Sequence, residues 1–219
     1  LPSDVLSSLE DALLKEESPT GQEILRQLIK NAEIAKKERI PLCQDCGFAV
    51  FFIEMGQEVE IVDGYLYDAI NEGVRRGYKE GYLRKSILGD PLIRKNTGDN
   101  TPALIHFDLI FGDKLRILFA PKGGGAENMS SIRMLKPADG VEGVKKFVLE
   151  TVEKAGANPC PPVIVGVGIG GTFEKSAFLS KKSLFRKIGD HNPDPSIKAL
   201  EEELFIKVNN LGIGPQGLG

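Results

Sequence analysis

Tryptophan is absent from the 219 residues, and cysteine, methionine and histidine are scarce, at three, three and two residues. Three cysteines cannot build the disulfide framework of a small secreted domain, and the odd count leaves thiols for metal binding or reactivity. The two histidines, His106 and His191, do not stand at the short spacing of a local ligand pair, so a mononuclear histidine site is disfavoured. No apolar run approaches the roughly 18 residues of a membrane span, and the longest, Phe48 to Ile53, is strand-sized. No secretory leader is recognisable at the start, so a cytoplasmic protein is expected. Charge of neither sign dominates: Lys plus Arg number 28 against 31 Asp plus Glu, for a net charge of −3. Without a basic block to track phosphates, nucleic acid is not an expected partner.

What is present fits an ordinary globular chain, 41% hydrophobic and 27% charged. The length suits one domain over residues 1–219, with no internal boundary evident. Glycine and proline, at 25 and 13 residues, exceed their usual combined share of about 12% and point to elaborate loops. Ser3 reads as the cap of a first helix over residues 4–17. A second starts at Ser18-Pro19-Thr20, carries Ile24, Leu25, Leu28, Ile29, Ala32 and Ala35 on one face, and stops at Pro41. Phe48 to Ile53 reads as a buried strand and Gly64 to Leu83 as a third helix. Residues 86–102 are dense in turn formers, and so long a loop inside a domain is usually functional or mobile. The alternating runs 103–110 and 115–120, joined by Phe111-Gly112-Asp113-Lys114, predict a β-hairpin. Helices are predicted over 141–155, 173–185 and 196–209, the last capped by Asp194 with Pro195 at its first position, and a short strand over 163–167. The fold class is α/β (α+β): a mixed sheet of about four strands with one hairpin, flanked by about six helices. The final Gly212 to Gly219 is a glycine-rich loop that looks cut off, so more chain or a partner is expected after it.

Five segments are candidates for chemistry. Cys43-Gln44-Asp45-Cys46-Gly47 brings two thiols three residues apart, a spacing used by metal, cluster and redox sites. Because a helix precedes it and a strand follows, it does not have the strand-to-helix setting of a thioredoxin motif. Asn158-Pro159-Cys160-Pro161-Pro162 holds one cysteine in a rigid, donor-poor loop. Lys122-Gly123-Gly124-Gly125-Ala126-Glu127-Asn128 can turn successive N–H groups toward one anionic oxygen, and it lacks the order of a nucleotide P-loop. Gly166-Val167-Gly168-Ile169-Gly170-Gly171 formally contains GxGxxG, but too little chain follows for a dinucleotide fold, and close helix–strand packing or a second small-anion contact is the better reading. Arg84, in Tyr82-Leu83-Arg84-Lys85-Ser86, has the planar fork that clamps a carboxylate.

The order Cys43-Gln44-Asp45, Tyr82-Leu83-Arg84-Lys85-Ser86, Asn96-Thr97-Gly98-Asp99-Asn100-Thr101-Pro102, Lys122 to Met129 and Cys160-Pro161-Pro162 resembles the alpha part of class I iron–sulfur fumarate hydratases and the similar L-tartrate dehydratases. The resemblance runs from about residue 20 to the end. It implies reversible hydration of fumarate to malate on a [4Fe–4S] cluster whose open iron acts as a Lewis acid. It further implies Cys43 and Cys160 as cluster ligands, and Gln44 and Asp45 as substrate contacts, with Asp45 catalytic. Arg84 would be a carboxylate partner, and Gly123, Gly124 and Gly125 would be N–H donors. Position 46 is usually Thr in that family, and the family's third ligand lies past the glycine-rich loop. The third ligand is therefore expected beyond Gly219 rather than at Cys46. The proton-abstracting group belongs to the family's C-terminal part, which implies a beta subunit as partner, a small dicarboxylate as substrate and a homo-oligomer of alpha–beta units. Two other readings remain: a zinc–thiolate interaction module and a nucleotide-dependent oxidoreductase.

Overall fold

The structure, a computed structural model, describes residues 1–218; the last residue of the predicted terminal loop, Gly219, lies outside them. The chain is mixed α/β: α1 (Ser3–Lys15), α2 (Pro19–Glu38), β1 (Phe48–Gly56), α3 (Leu66–Glu80), β2 (Leu104–Ile110), β3 (Leu115–Lys122), a four-residue turn α4 (Gly124–Glu127), α5 (Gly140–Ala155), α6 (Phe173–Ser183) and α7 (Pro195–Asn209). It divides into two compact units, residues 34–127 and residues 1–33 with 128–219. Among the described residues no helix is long and apolar enough to cross a membrane.

The unit of residues 34–127 is built on a three-stranded sheet ordered β2-β1-β3. β1 runs parallel to β2 and antiparallel to β3. The predicted hairpin is therefore corrected: β2 and β3 are consecutive in sequence, yet β1 lies between them. The physical reason is the composition of β1. Ala49 and Val50, then Phe52 and Ile53, are buried as adjacent pairs, so both faces of this strand need cover, as in a central strand. The 111–114 connection then crosses the end of β1. Gly56 N–H donates to Lys114 O at 2.8 Å and Gln57 N–H to Ile110 O at 2.8 Å. The crossing needs a glycine: a Cβ on Gly56 would sit 2.1 Å from Gly112 O. Val74 and Tyr78 of α3 pack with Cys46 and Ala49, joined by Phe51, Leu83 and Ala103.

The other unit is helical. Val5 and Leu9 of α1, Leu25 and Ala32 of α2, Val148 and Ala155 of α5 and Leu204 of α7 are buried. α5 and α7 are linked by the Lys145–Glu203 ion pair at 2.7 Å. Asp194 caps α7 as the sequence predicts, accepting from Ser196 N–H at 2.8 Å. Ser3 is the first residue of α1 rather than its cap, which is Pro2. The predicted strand over 163–167 is also corrected: these residues form no strand. They lie against α6 instead, so closely that a Cβ on Gly166 or Gly168 would meet the carbonyls of Ser180 or Ser176 at 2.1 and 2.0 Å. Three strands thus replace the expected four.

Candidate active site

The loop from Pro41 to Gly47 leads into β1, and its direction is set from both sides. Gly47 has φ +62°, and a Cβ there would lie 1.9 Å from Lys122 O, so only glycine lets the loop press against the end of β3. On the other side the Tyr78 hydroxyl donates to Cys46 O at 3.1 Å. Burial pushes the Tyr78 phenol up to about 12, ahead of the smaller influence of nearby Cys46, so it stays a neutral donor.

Within this frame Asp45 meets the glycine loop. Its carboxylate accepts from Gly124 N–H and Gly125 N–H, each at 2.9 Å. The N–H pair predicted to receive a substrate oxygen thus holds the chain's own carboxylate in this structure. Gly123 lies beside the same group, since a Cβ there would be 2.8 Å from Asp45 Oδ2. The ends of the turn are tied by Lys122, whose Nζ donates to Gly123 O at 3.2 Å and pairs with Glu127 at 3.3 Å. Gln44, next to Asp45, is exposed.

Arg84 is exposed and has no hydrogen-bond or ion-pair partner among the described residues. Its backbone is nonetheless fixed. Leu83 is anchored in the apolar cluster under α3, and Ser86 and Ile87 N–H both donate to Asn100 Oδ1, at 2.6 and 3.1 Å. Asn100 is fully buried, adopts φ +63°, and donates through Nδ2 to Gly47 O at 3.2 Å. One side chain therefore ties the Arg84 segment to the Cys43–Gly47 loop. Beside it, Asp99 is held below the usual carboxylate range, first by the Thr101 N–H and hydroxyl and then by Arg75. The sequence marked residues 86–102 as a long loop, functional or mobile, without singling out Asn100. The available signal was the Asp-Asn-Thr-Pro run, where Asn tolerates a left-handed backbone at a turn.

The three cysteines differ. Cys46 is buried in the core with its Sγ 3.6 Å from Cys43 O, Cys43 is half-buried, and Cys160 is exposed in the other unit. Among the described residues no three His, Cys, Asp or Glu side chains are grouped as metal ligands. Cys43 and Cys160 are the accessible thiols, whereas Cys46 is buried beside Ala49, Val74 and Tyr78 with its Sγ against the carbonyl of Cys43. The unit of residues 34–127 thus joins Gln44, Asp45, Gly123, Gly124 and Gly125 in one loop cluster, with the Arg84 segment fastened to it through Asn100.

The fumarate hydratase (Fumerase) family model matches residues 1–219. A provisionally named L(+)-tartrate dehydratase subunit alpha from Methanocaldococcus jannaschii is 44% identical over 227 residues, covering all of this chain and 79% of the relative. The L(+)-tartrate dehydratase alpha subunits of Escherichia coli K12 and Shigella boydii are each 35% identical over 222 residues, covering all of this chain and 73% of theirs.

Proposed function

From the premise that this chain belongs to the fumarate hydratase (Fumerase) family, we propose that it is the alpha subunit of a hydro-lyase that interconverts fumarate and malate. Supporting this reading is the joining of Asp45, the Gly123–Gly125 turn and the Arg84 segment through Asn100. A dicarboxylate needs cationic and N–H partners at its ends, and this cluster holds both kinds. The exposed Arg84 guanidinium, without a partner among the described residues, would clamp one carboxylate. The Gln44 amide and the Gly123 N–H would orient the substrate. Asp45, its carboxylate oriented by two N–H donors, would contact the substrate, while the proton-abstracting group would come from the partner subunit. A [4Fe–4S] cluster held by Cys43 and Cys160, with a third thiolate from outside this chain's three cysteines, would supply Lewis-acid assistance to the departing hydroxide. A beta subunit would complete the site, in keeping with the naming of the relatives as alpha subunits.

Dehydration of L-tartrate is the second reading, favoured by the names of those relatives. Both substrates present two carboxylates and lose one hydroxyl, so the clamp suits either. The test is steady-state turnover of L-malate, fumarate and L-tartrate by the anaerobic alpha–beta complex, with iron measured on the same sample. The proposal expects turnover of fumarate and malate, and a loss of about 10²-fold in kcat/KM on Arg84→Lys, which keeps charge but loses the planar fork. Turnover of tartrate alone would establish the second reading. No turnover of any of the three by iron-loaded complex would overturn both.

A further inference from the structure

The cluster reading uses Cys43 and leaves Cys46 without a chemical task, although the two sit in one four-residue loop. Their geometry is specific. Cys46 Sγ lies 3.6 Å from the carbonyl oxygen of Cys43, so the sulfur leans back over the residue it would bond. Cys43 Sγ in turn lies 3.9 Å from Asp45 O, folded along the same loop rather than away from it. The C-terminal half of the loop is fixed: Tyr78 holds Cys46 O, Tyr78 and Asn100 hold Gly47 O, and the glycine turn holds the Asp45 side chain. Joining the sulfurs then asks for rotation about the Cys46 side-chain bond and adjustment of the residues near Cys43. Those residues follow Pro41 and form bends with no regular structure. The two thiols also differ in access. Cys43 is half-buried and reachable, while Cys46 is buried and 8% exposed.

We propose that Cys43 and Cys46 are a covalent modification site: in the cluster-free chain, hydrogen peroxide converts them to an intrachain disulfide. The Cys43 thiolate attacks one peroxide oxygen, the O–O bond breaks, and a sulfenic acid and hydroxide form. The Cys46 thiolate then attacks the Cys43 sulfur. The S–S bond forms, the S–O bond breaks, and a second hydroxide leaves. The two thiol protons neutralise the two hydroxides, so two thiols and one peroxide give one disulfide and two waters. Peroxide is reduced by two electrons and the sulfur pair is oxidised by two. Cys46 acts as resolving thiol, intercepting the sulfenic acid before it advances to irreversible sulfinic acid, and a thiol reductant restores Cys43. The inference concerns the cluster-free chain and does not depend on which substrate the assembled enzyme turns over.

The experiment uses the full chain, stripped of iron with a chelator under argon and treated with a small excess of hydrogen peroxide. Thiols are counted after denaturation and tryptic peptides weighed. Cys43 and Cys46 share the peptide 40–75, whereas Cys160 lies on 155–175. The expected result is loss of two of the three thiols, a 40–75 peptide lighter by two hydrogens, and full recovery with dithiothreitol. Cys46→Ala in the same treatment should give a Cys43 that gains two oxygens and is not recovered, and Cys160→Ser should leave the disulfide unaffected. Three surviving thiols, a bond from Cys160 to either partner, or irreversible oxidation of Cys43 in the unaltered chain would each overturn the proposal.

Discussion

At the scale of single residues, Asn100 is the least conspicuous member of the site and the most constrained. It is fully buried and uses both ends of its amide, accepting from Ser86 and Ile87 and donating to Gly47. Asn100→Ala would strand the Ser86 and Ile87 N–H donors and leave Gly47 O with the Tyr78 hydroxyl alone. A buried unsatisfied group costs about 1–3 kcal/mol, so a loss of about 3 kcal/mol is expected in urea unfolding. The same variant should raise KM for the dicarboxylate, because the segment bearing Arg84 is no longer tied to the loop bearing Asp45. Arg84→Lys provides the contrast. Its side chain has no partner among the described residues, so its activity should fall while Tm stays unchanged. A variant at Asn100 that unfolds and binds like the unaltered chain would remove it from the site.

At the scale of elements, two glycines with opposite surroundings test the crossing over β1. Gly56 lies under the 111–114 connection, where a Cβ would be 2.1 Å from a backbone oxygen. Gly73 lies inside α3 with open space around it. Gly56→Ala should cost about 1–3 kcal/mol through forced overpacking, and Gly73→Ala should add roughly 0.5–1 kcal/mol by stiffening the unfolded chain and favouring helix. Chemical denaturation of both variants checks the pair; equal midpoints would contradict the crossing. Most of these elements were legible in the sequence. The helical faces of α2, α5 and α7 follow from apolar spacing, and the Asp194 cap from a short side chain before Pro195. Strand partners were less legible. Gly112-Asp113 announces a reversal of direction, but pairing is decided by which strand needs two neighbours, and β1 does. Residues 163–167 have a strand's composition, yet composition does not supply a pairing strand, and Gly166 and Gly168 commit the segment to α6. In the site, Asp45 and the glycine turn stood out because special residues mark special backbones. Asn100 did not, because its role is to bond three segments far apart in sequence.

At the scale of the whole molecule, the three cysteines differ in burial, and under the proposed function iron content should separate them. Cys43 is half-buried in the site loop and Cys160 is exposed between prolines, so neither thiol is committed to the core. Cys46 packs against Ala49, Val74 and Tyr78. A serine at Cys46 would put a smaller, more polar group where the thiol packs against Ala49, Val74 and Tyr78, at a cost of about 1–3 kcal/mol. Cys46→Ser should therefore lower Tm while the anaerobic alpha–beta complex keeps its iron and its absorbance near 400 nm. Cys43→Ser and Cys160→Ser should do the reverse, losing iron while the cluster-free chain unfolds at the unaltered temperature. An iron site open to substrate is also open to oxidants, so the unaltered complex should lose activity in air and regain it with ferrous iron and a reductant. The readouts are iron per chain, absorbance and Tm for the three variants, taken from one anaerobic preparation each. If Cys46→Ser empties the complex of iron as fully as Cys43→Ser, the ligand assignment fails and the loop thiols act as a pair on the metal.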